Sequence, residues 1–350
     1  MPLHTIPMNT ARFQEITGRY PSLRIAVAGD FCLDRYLEID SARTETSIET
    51  GLPVYNVVKV RAQPGAAGTI LNNLVALGIG ELHLVGFCGD DGEGYELRRA
   101  LQAKAGVHLE HFQTSDERRT FTYCKPLIIE EGQPPRELNR LDSKNWTATP
   151  EALEAKLCAS IDDLAPQVDA IILMDQVDMC GTGVVTPRVR ETAGHACEKH
   201  PRLLILADSR NGLGNFPPMA FKMNAAELTS LLEAQPPLEL DRVRECAAVL
   251  ARKNRQPVFV TLAERGIVGA MSDGEVSYVP SLPVRGPIDV VGAGDSVTAN
   301  LTAALAAGAS AAEAMKLAMA GASIVIHQLG TTGEAGVADL RRMVVRAFSI

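Results

Sequence analysis

Residues 288–299 read IDVVGAGDSVTA. The β-branched run from Ile288 to Val291 gives way to Gly292-Ala293-Gly294, and Asp295 follows where an alanine-rich helical pattern begins. A strand that turns into a helix at this point gathers free backbone N–H groups and the positive end of the helix dipole in one place. Such a place suits an anion, phosphate above all. A carboxylate beside it is positioned to take a proton from whatever attacks the phosphate. The bland reading of Asp295 is a helix N-cap.

Working outward, short apolar runs alternate with helical patterns, which predicts βαβ units and a parallel sheet. Strands are expected at 24–29, 82–87, 170–174, 203–208 and 257–262. Helices are expected near 67–78, 91–104, 150–164, 184–199 and 224–252, in two stretches between 295 and 327, and near 336–347. Segments 36–61 and 107–142 alternate at period two and read as antiparallel strands that a parallel sheet does not need. They are expected to form a small lid over the active face that excludes water. Chain length and the absence of any repeat point to a single domain over 1–350. In open parallel sheets the ligand lies off the carboxyl ends of the strands. Gly29-Asp30, Gly89-Asp90-Asp91, Asp175 and Asp208 fall there, so they are expected to share one site.

Composition narrows the function. The net charge of −8 argues against duplex nucleic acid or an anionic membrane as partner. No run of 18 apolar residues predicts a transmembrane helix. The opening MPLHTIPMNTARFQEITGRY lacks a basic stretch followed by an apolar core, so a signal peptide is not expected. Seven cysteines, odd in number and never spaced C-x-x-C, fit reduced thiols in a cytoplasmic protein. His108 and His111 flank Glu110, but their spacing does not suggest a metal site. There is no Walker-type loop, and the third glycine position of a dinucleotide fingerprint holds Val297.

DVVGAGD (289–295) resembles the C-terminal signature of the PfkB, or ribokinase-like, carbohydrate kinases. AGDFCLDRY (28–36), PGAAGTILNNLVALG (64–78), LVGFCGDDGEG (84–94), KMNAAEL (222–228) and VTLAERGIVG (260–269) resemble other segments of that family, in the family's order. Within it, GDFCLDRY, PVYNVVKVRAQPGAAG and RELNRLD are most similar to the kinase half of bifunctional ADP-heptose synthases, whose H-x-G-H nucleotidylyltransferase motif does not occur in this sequence. The resemblance implies a three-layer αβα sandwich with a mainly parallel sheet and a β-lid. It also implies transfer of the γ-phosphate of ATP to a sugar or sugar-phosphate hydroxyl, dependence on Mg²⁺, and a homodimer formed through the lid. A nucleoside or other small-alcohol kinase on the same fold is the alternative, as is a catalytically silent nucleotide or sugar sensor. An aromatic sandwich for a base is not evident, with Phe, Trp and Tyr making up 5% of the chain.

Site roles follow from chemistry and resemblance together. Asp295 is the expected general base. At a helix N-terminus it should be ionised at neutral pH, with a pKa near or below about 4, and so assist late in the transfer. Gly292, Ala293 and Gly294 are expected to supply amide donors for the γ-phosphate. Asn224 and Glu227, three apart, are expected to organise Mg²⁺ through water, and a capping box is the rival reading. Thr261 and Gly266 are assigned to the nucleotide. Asp289 either holds a monovalent cation such as K⁺ or bonds the turn's own backbone. Asp30 is the expected grip on sugar hydroxyls, with Gly65 and Thr69 beside it. Arg140 and Arg43 are candidates for a substrate phosphate. The sequence departs from the family at Ala66, where a second glycine is usual, at Thr69, where a sugar-binding asparagine is common, and at Val291, where threonine is frequent.

Overall fold

The computed structural model describes residues 8–233 and 239–348, with side chains of the last helix described as far as 344. Apolar residues on successive strand positions point to opposite faces, and that alternation builds two cores on either side of one sheet. On strand Arg24–Gly29, Ile25 and Val27 enter one cluster while Ala26 and Ala28 enter the other. Ile172 and Met174 against Ile171 and Leu173 repeat the division on strand Ala170–Asp175. Helices such as Ala67–Ala76, Ala293–Ala306 and Ala311–Val325 cover the first face. Glu151–Leu164, Pro187–Lys199 and Leu240–Asn254 cover the second. The result is a three-layer αβα sandwich.

The sheet has ten strands. From one edge they run Val276–Val279, Ile267–Ala270, Val258–Thr261, Ala220–Asn224, Leu204–Ser209, Ala170–Asp175, Arg24–Gly29, Glu81–Gly89 and Val107–His108, with Phe112–Ser115 also paired to Glu81–Gly89. Pairing is parallel from Val258–Thr261 onward, and only the first two pairings are antiparallel, so Ile267–Ala270 alone runs against the rest. Among the described residues no helix is long and apolar enough to cross a membrane.

The lid is a five-stranded sheet built from Phe31–Asp40, Val57–Ala66, Thr122–Ile129, Arg136–Glu137 and Leu141–Ser143. Two expectations are corrected here. Residues 107–115 belong to the main sheet: Val107 and His108 pair with Leu82 and His83, and Phe112 is buried edge-on against Phe31, 5.4 Å between centroids. Nor is the lid wholly antiparallel, since Phe31–Asp40 runs parallel to Thr122–Ile129. Period-two alternation marks a strand without naming the sheet that receives it.

Two further segments differ. Ile288–Val291 forms no strand; it is an irregular and largely exposed segment between Pro287 and the helix that starts at Ala293. The stretch expected as one helix over 224–252 is two, Ala225–Leu231 and Leu240–Asn254, and 234–238 lie outside the described residues. Gly266 closes the turn between the antiparallel strands Val258–Thr261 and Ile267–Ala270 at φ +103, where an added Cβ would lie 2.1 Å from the Val279 carbonyl oxygen. Gly266→Ala should therefore cost ~2 kcal/mol or more and appear as a lowered thermal midpoint; an unchanged midpoint would show that the turn relaxes.

Candidate active site

The carboxyl ends of the parallel strands, the start of helix Ala293–Ala306 and the inner face of the lid enclose a cleft of about 570 Å³. From the lid come Cys32, Asp34, Tyr123, Lys125, Arg140 and Asp142. Ala66 and Thr69 line the wall where the lid joins the body, and Gln176, Asp178 and Arg210 come from loops after two central strands. Gly292, Gly294 and Asp295 form the floor. The expected floor and acceptor wall are thus brought together.

Gly292 sits left-handed at φ +82 as the helix N-cap, so Asp295 is not the cap but a first-turn residue. The Ala293 amide donates to the Val290 carbonyl at 3.2 Å. The amides of Gly294 and Asp295, first-turn groups without intrahelical acceptors, are left for a ligand. Beneath this turn lies an ion pair that escaped the sequence reading. Lys222 Nζ donates to Asp208 Oδ2 at 2.7 Å, and Thr298 Oγ1 of the same helix donates to the same oxygen at 2.8 Å. Both charged residues are buried. Burial works against the Lys222 charge, but attraction to Asp208 and their hydrogen bond, with Asp295 and Glu227 beyond, raise its pKa.

Asp295 does not keep the low pKa expected of a helix start. Desolvation and the like charge of Asp208 push it up to about 7, over the opposition of Lys222 and Arg210. The dipole of a helix terminus is worth a fraction of what an uncompensated carboxylate loses on leaving water. A base poised near neutrality is also a stronger one than the sequence implied.

The acid at the first strand end is corrected too. Asp30, 2% exposed, does not line the cleft. Its carboxylate accepts the amides of Gln176, Val177 and Val184 at 2.8, 3.2 and 2.7 Å, so it organises the 176–184 loop. Asp34, four residues on, reaches the cleft instead, and Lys125 Nζ lies 3.7 Å from it. Strand alternation puts Cys32 and Asp34 on one face. The period-two spacing that puts Asp34 on the same side as Cys32 was the signal that could have found it. Gly65 lies directly behind, where a Cβ would stand 2.4 Å from Asp34 Oδ2.

Of the other strand-end acids, Asp208 lies beneath the cleft floor, whereas Asp91 and Asp175 are engaged by local partners. Asp91 caps helix Gly92–Gln102 and accepts from Thr120, while Asp175 accepts from Ser209 and Asn211. Arg140 lines the cleft, paired with Asp142 at 2.9 Å and stacked over Tyr123. Arg43 does not: it is exposed and paired with Asp40 in a smaller hollow on the lid. Asn224 and Glu227 make the full capping box of helix Ala225–Leu231. Thr261 is the register partner of Asn224 on the neighbouring strand. Asp289 accepts from the amides of Val291 and Gly330, the local bonding anticipated as its second reading.

The sequence pattern of the pfkB family carbohydrate kinases matches residues 31–335. This chain belongs to that family. Relatives include two proteins named bifunctional protein HldE. The one from Syntrophotalea carbinolica is 29% identical over 93% of this chain and 64% of its own length. The one from Gluconacetobacter diazotrophicus is 30% identical over 89% and 62%. The chain thus spans under two thirds of these relatives. Among solved structures it is similar to Escherichia coli phosphofructokinase-2 in complex with potassium, with TM-score 0.70, 18% identity, and 93% and 99% of the two chains covered. It is also similar to Arabidopsis thaliana ribokinase complexed with ribose and ATP, with TM-score 0.67, 16% identity, and 92% and 98% covered. At these identities the structures establish the fold.

A base titrating near 7 is protonated below that pH, so kcat/KM should fall on the acid side with a midpoint near 7. Arg210→Gln, which removes a cation favouring ionised Asp295, should move that midpoint upward. A pH–rate profile flat from pH 8 down to about 4, the ordinary carboxylate range, would contradict the assignment.

Proposed function

We propose that the chain transfers the γ-phosphate of ATP to a hydroxyl of a sugar or sugar phosphate, with Asp295 as general base. The observation that carries this is the placement of Asp295 on the cleft floor, its pKa lifted to about 7, beside the unpaired first-turn amides of its helix. An acceptor held under the lid presents a hydroxyl to Asp295. As that oxygen bonds to phosphorus its proton passes to the carboxylate, and the bond to the ADP oxygen breaks. The Gly294 and Asp295 amides face the phosphoryl oxygens, with the Lys222 ammonium behind them: a Cβ on Gly294 would lie 3.3 Å from Lys222 Nζ. Alignment and charge neutralisation supply most of the rate in such a transfer.

Asn224, Glu227, Thr261 and Gly266, at neighbouring strand ends and turns, are assigned to the nucleotide side. The capping box engages Glu227 Oε2 and leaves Oε1 without a hydrogen-bond partner among the described residues. Burial raises the Glu227 pKa despite its bond to the Asn224 amide. A half-buried carboxylate oxygen left free by the capping box suits a largely hydrated Mg²⁺, held by Glu227 through water. When bound, Mg²⁺ would offset phosphate charge. Asp289 carries no step, because its carboxylate braces two loops, and no role is assigned to potassium.

Asp295→Asn should lower kcat by ~10²–10⁴-fold while ATP binding by calorimetry persists. Turnover near that of the parent would remove the base. The acceptor is to be found by a phosphorylation screen over pentoses, hexoses, heptose phosphates and nucleosides. ATP binding without turnover of any acceptor would favour the silent sensor.

The lid's outer face supports the dimer reading. Val58 and Val60, two apart on one lid strand, share a face, and with Ile48, Leu52 and Tyr55 they leave the lid strongly apolar toward solvent. A second copy of the chain is the proposed cover. Val60→Glu should convert a dimer to a monomer by light scattering; a parent protein that is monomeric at micromolar concentration would end this reading.

A further inference from the structure

The rim of the cleft carries an aromatic residue that the phosphate chemistry does not use. Trp146 is the sole tryptophan of the sequence, and it is 69% exposed. Arg140, Asp142 and Lys144, each two residues from the next, line the cleft, and two is the period of an extended chain. Trp146 is the next position in that row. Asn145, which falls between, is buried.

The indole is exposed, but the backbone that carries it is clamped. Asn145 Oδ1 accepts the Arg119 amide at 3.0 Å, and Asn145 Nδ2 donates to the Arg119 carbonyl at 2.9 Å. On the other side of the indole, the Thr147 carbonyl accepts from the buried Arg118 guanidinium at 3.1 Å. The same stretch is laced to the 176–184 loop. Lys144 pairs with Asp178 at 2.6 Å, and the amide and hydroxyl of Thr149 donate to the carbonyls of Gly181 and Gly183 at 2.9 and 2.6 Å. Between these ties lie Trp146 on one segment and Met179, 42% exposed, on the other. A charged cleft wall thus ends in a small apolar rim on fixed backbone. Single exposed apolar residues are ordinary, but this one is held in place and continues a row that faces the cleft. A rigid indole is also an economical contact, since little conformational freedom is lost when a ligand covers it.

Size decides what could cover it. An aromatic side chain offers ~150–250 Å², far below the ~800 Å² that each partner of a stable protein interface buries, yet enough for one sugar ring. The negative face of an indole attracts the weakly positive C–H edges of such a ring. We propose that Trp146, with Met179 beside it, is a stacking platform for a part of the acceptor that reaches out of the cleft. The acceptor is then an extended sugar, one that carries a further sugar unit or a C–H-rich substituent beyond the ring whose hydroxyl is phosphorylated. The proposal rests on reading the cleft as the acceptor site. Trp146 positions the acceptor and takes no part in the transfer.

The test uses the single tryptophan as its own reporter. Free pentoses, hexoses and sugar phosphates are compared with their cyclohexyl glycosides and with disaccharides linked at different positions, by tryptophan emission and by ADP release. In the parent, extended sugars should shift the emission and show a KM ~5-fold or more below that of the free sugar. Trp146→Ala should raise that KM ~5–10-fold toward the free-sugar value, with kcat and the KM for ATP unchanged, the pattern of a contact made equally in ground and transition states. Trp146→Phe should restore most of the loss. Equal KM for free and extended sugars in both parent and Trp146→Ala would overturn the proposal. A lower mass by light scattering in Trp146→Ala, with every KM unchanged, would overturn it as well and make the indole a contact between copies. If no acceptor is phosphorylated, yet extended sugars and not free ones shift the parent's emission, the platform stands and the transfer reading falls. If sugars are phosphorylated with emission unchanged and KM indifferent to Trp146, the transfer stands and the platform falls.

Discussion

A lysine and an aspartate 2.7 Å apart, both buried beneath the first turn of helix Ala293–Ala306, hold the rest of the site in place. Lys222 comes from one parallel strand and Asp208 from the next, and Thr298 ties the helix to the same carboxylate oxygen. The sheet and the helix that carries Asp295 are thus joined through one oxygen atom. Breaking such a pair by removing one partner is expensive, on the order of 3–5 kcal/mol, because it leaves a lone charge out of water. The same pair sets the chemistry above it. Asp208 raises the pKa of Asp295 and Lys222 opposes that rise, so the proposed base is tuned by the pair beneath its helix.

A second buried arrangement shapes the acceptor side without touching it. The Asp30 carboxylate gathers three amides of the 176–184 loop. The Arg118 guanidinium donates to the carbonyls of Thr147, Ala148 and Thr182, and desolvation lowers its pKa over the opposition of Glu117. Between them they immobilise the loop that carries Gln176 and Asp178 to the cleft. Asp178 in turn pairs with Lys144 at 2.6 Å and Arg210 at 3.5 Å. The cleft is accordingly lined by charges of both signs, which suits a polar acceptor better than an apolar one.

Much of the fold was legible in the chain, because apolar periodicity and helix caps are local. The five strands expected at 24–29, 82–87, 170–174, 203–208 and 257–262 all lie in the main sheet, within a residue or two of the observed bounds. The assignment of 107–115 to the lid went astray because a strand's pattern tells which face is buried and not which edge it joins. Ile288–Val291 looked like a strand for its β-branched residues, yet it pairs with no strand among the described residues. The capping box at Asn224 and Glu227 was readable, since it needs only residues three apart.

By itself the sequence determined the alternating architecture, the glycine-rich turn into a helix, and the acid in that helix's first turn, because each is written in residues a few positions apart. It also marked Ala66 and Thr69 as departures from the family. Tertiary structure decided what those residues experience. The Asp295 pKa depends on Asp208, 87 positions away in the chain, and on the water that packing excludes. That Asp34 and not Asp30 lines the cleft depends on a loop 146 residues downstream that claims Asp30 for its amides. Electrostatics and burial act through space, and distance along the chain carries no record of them.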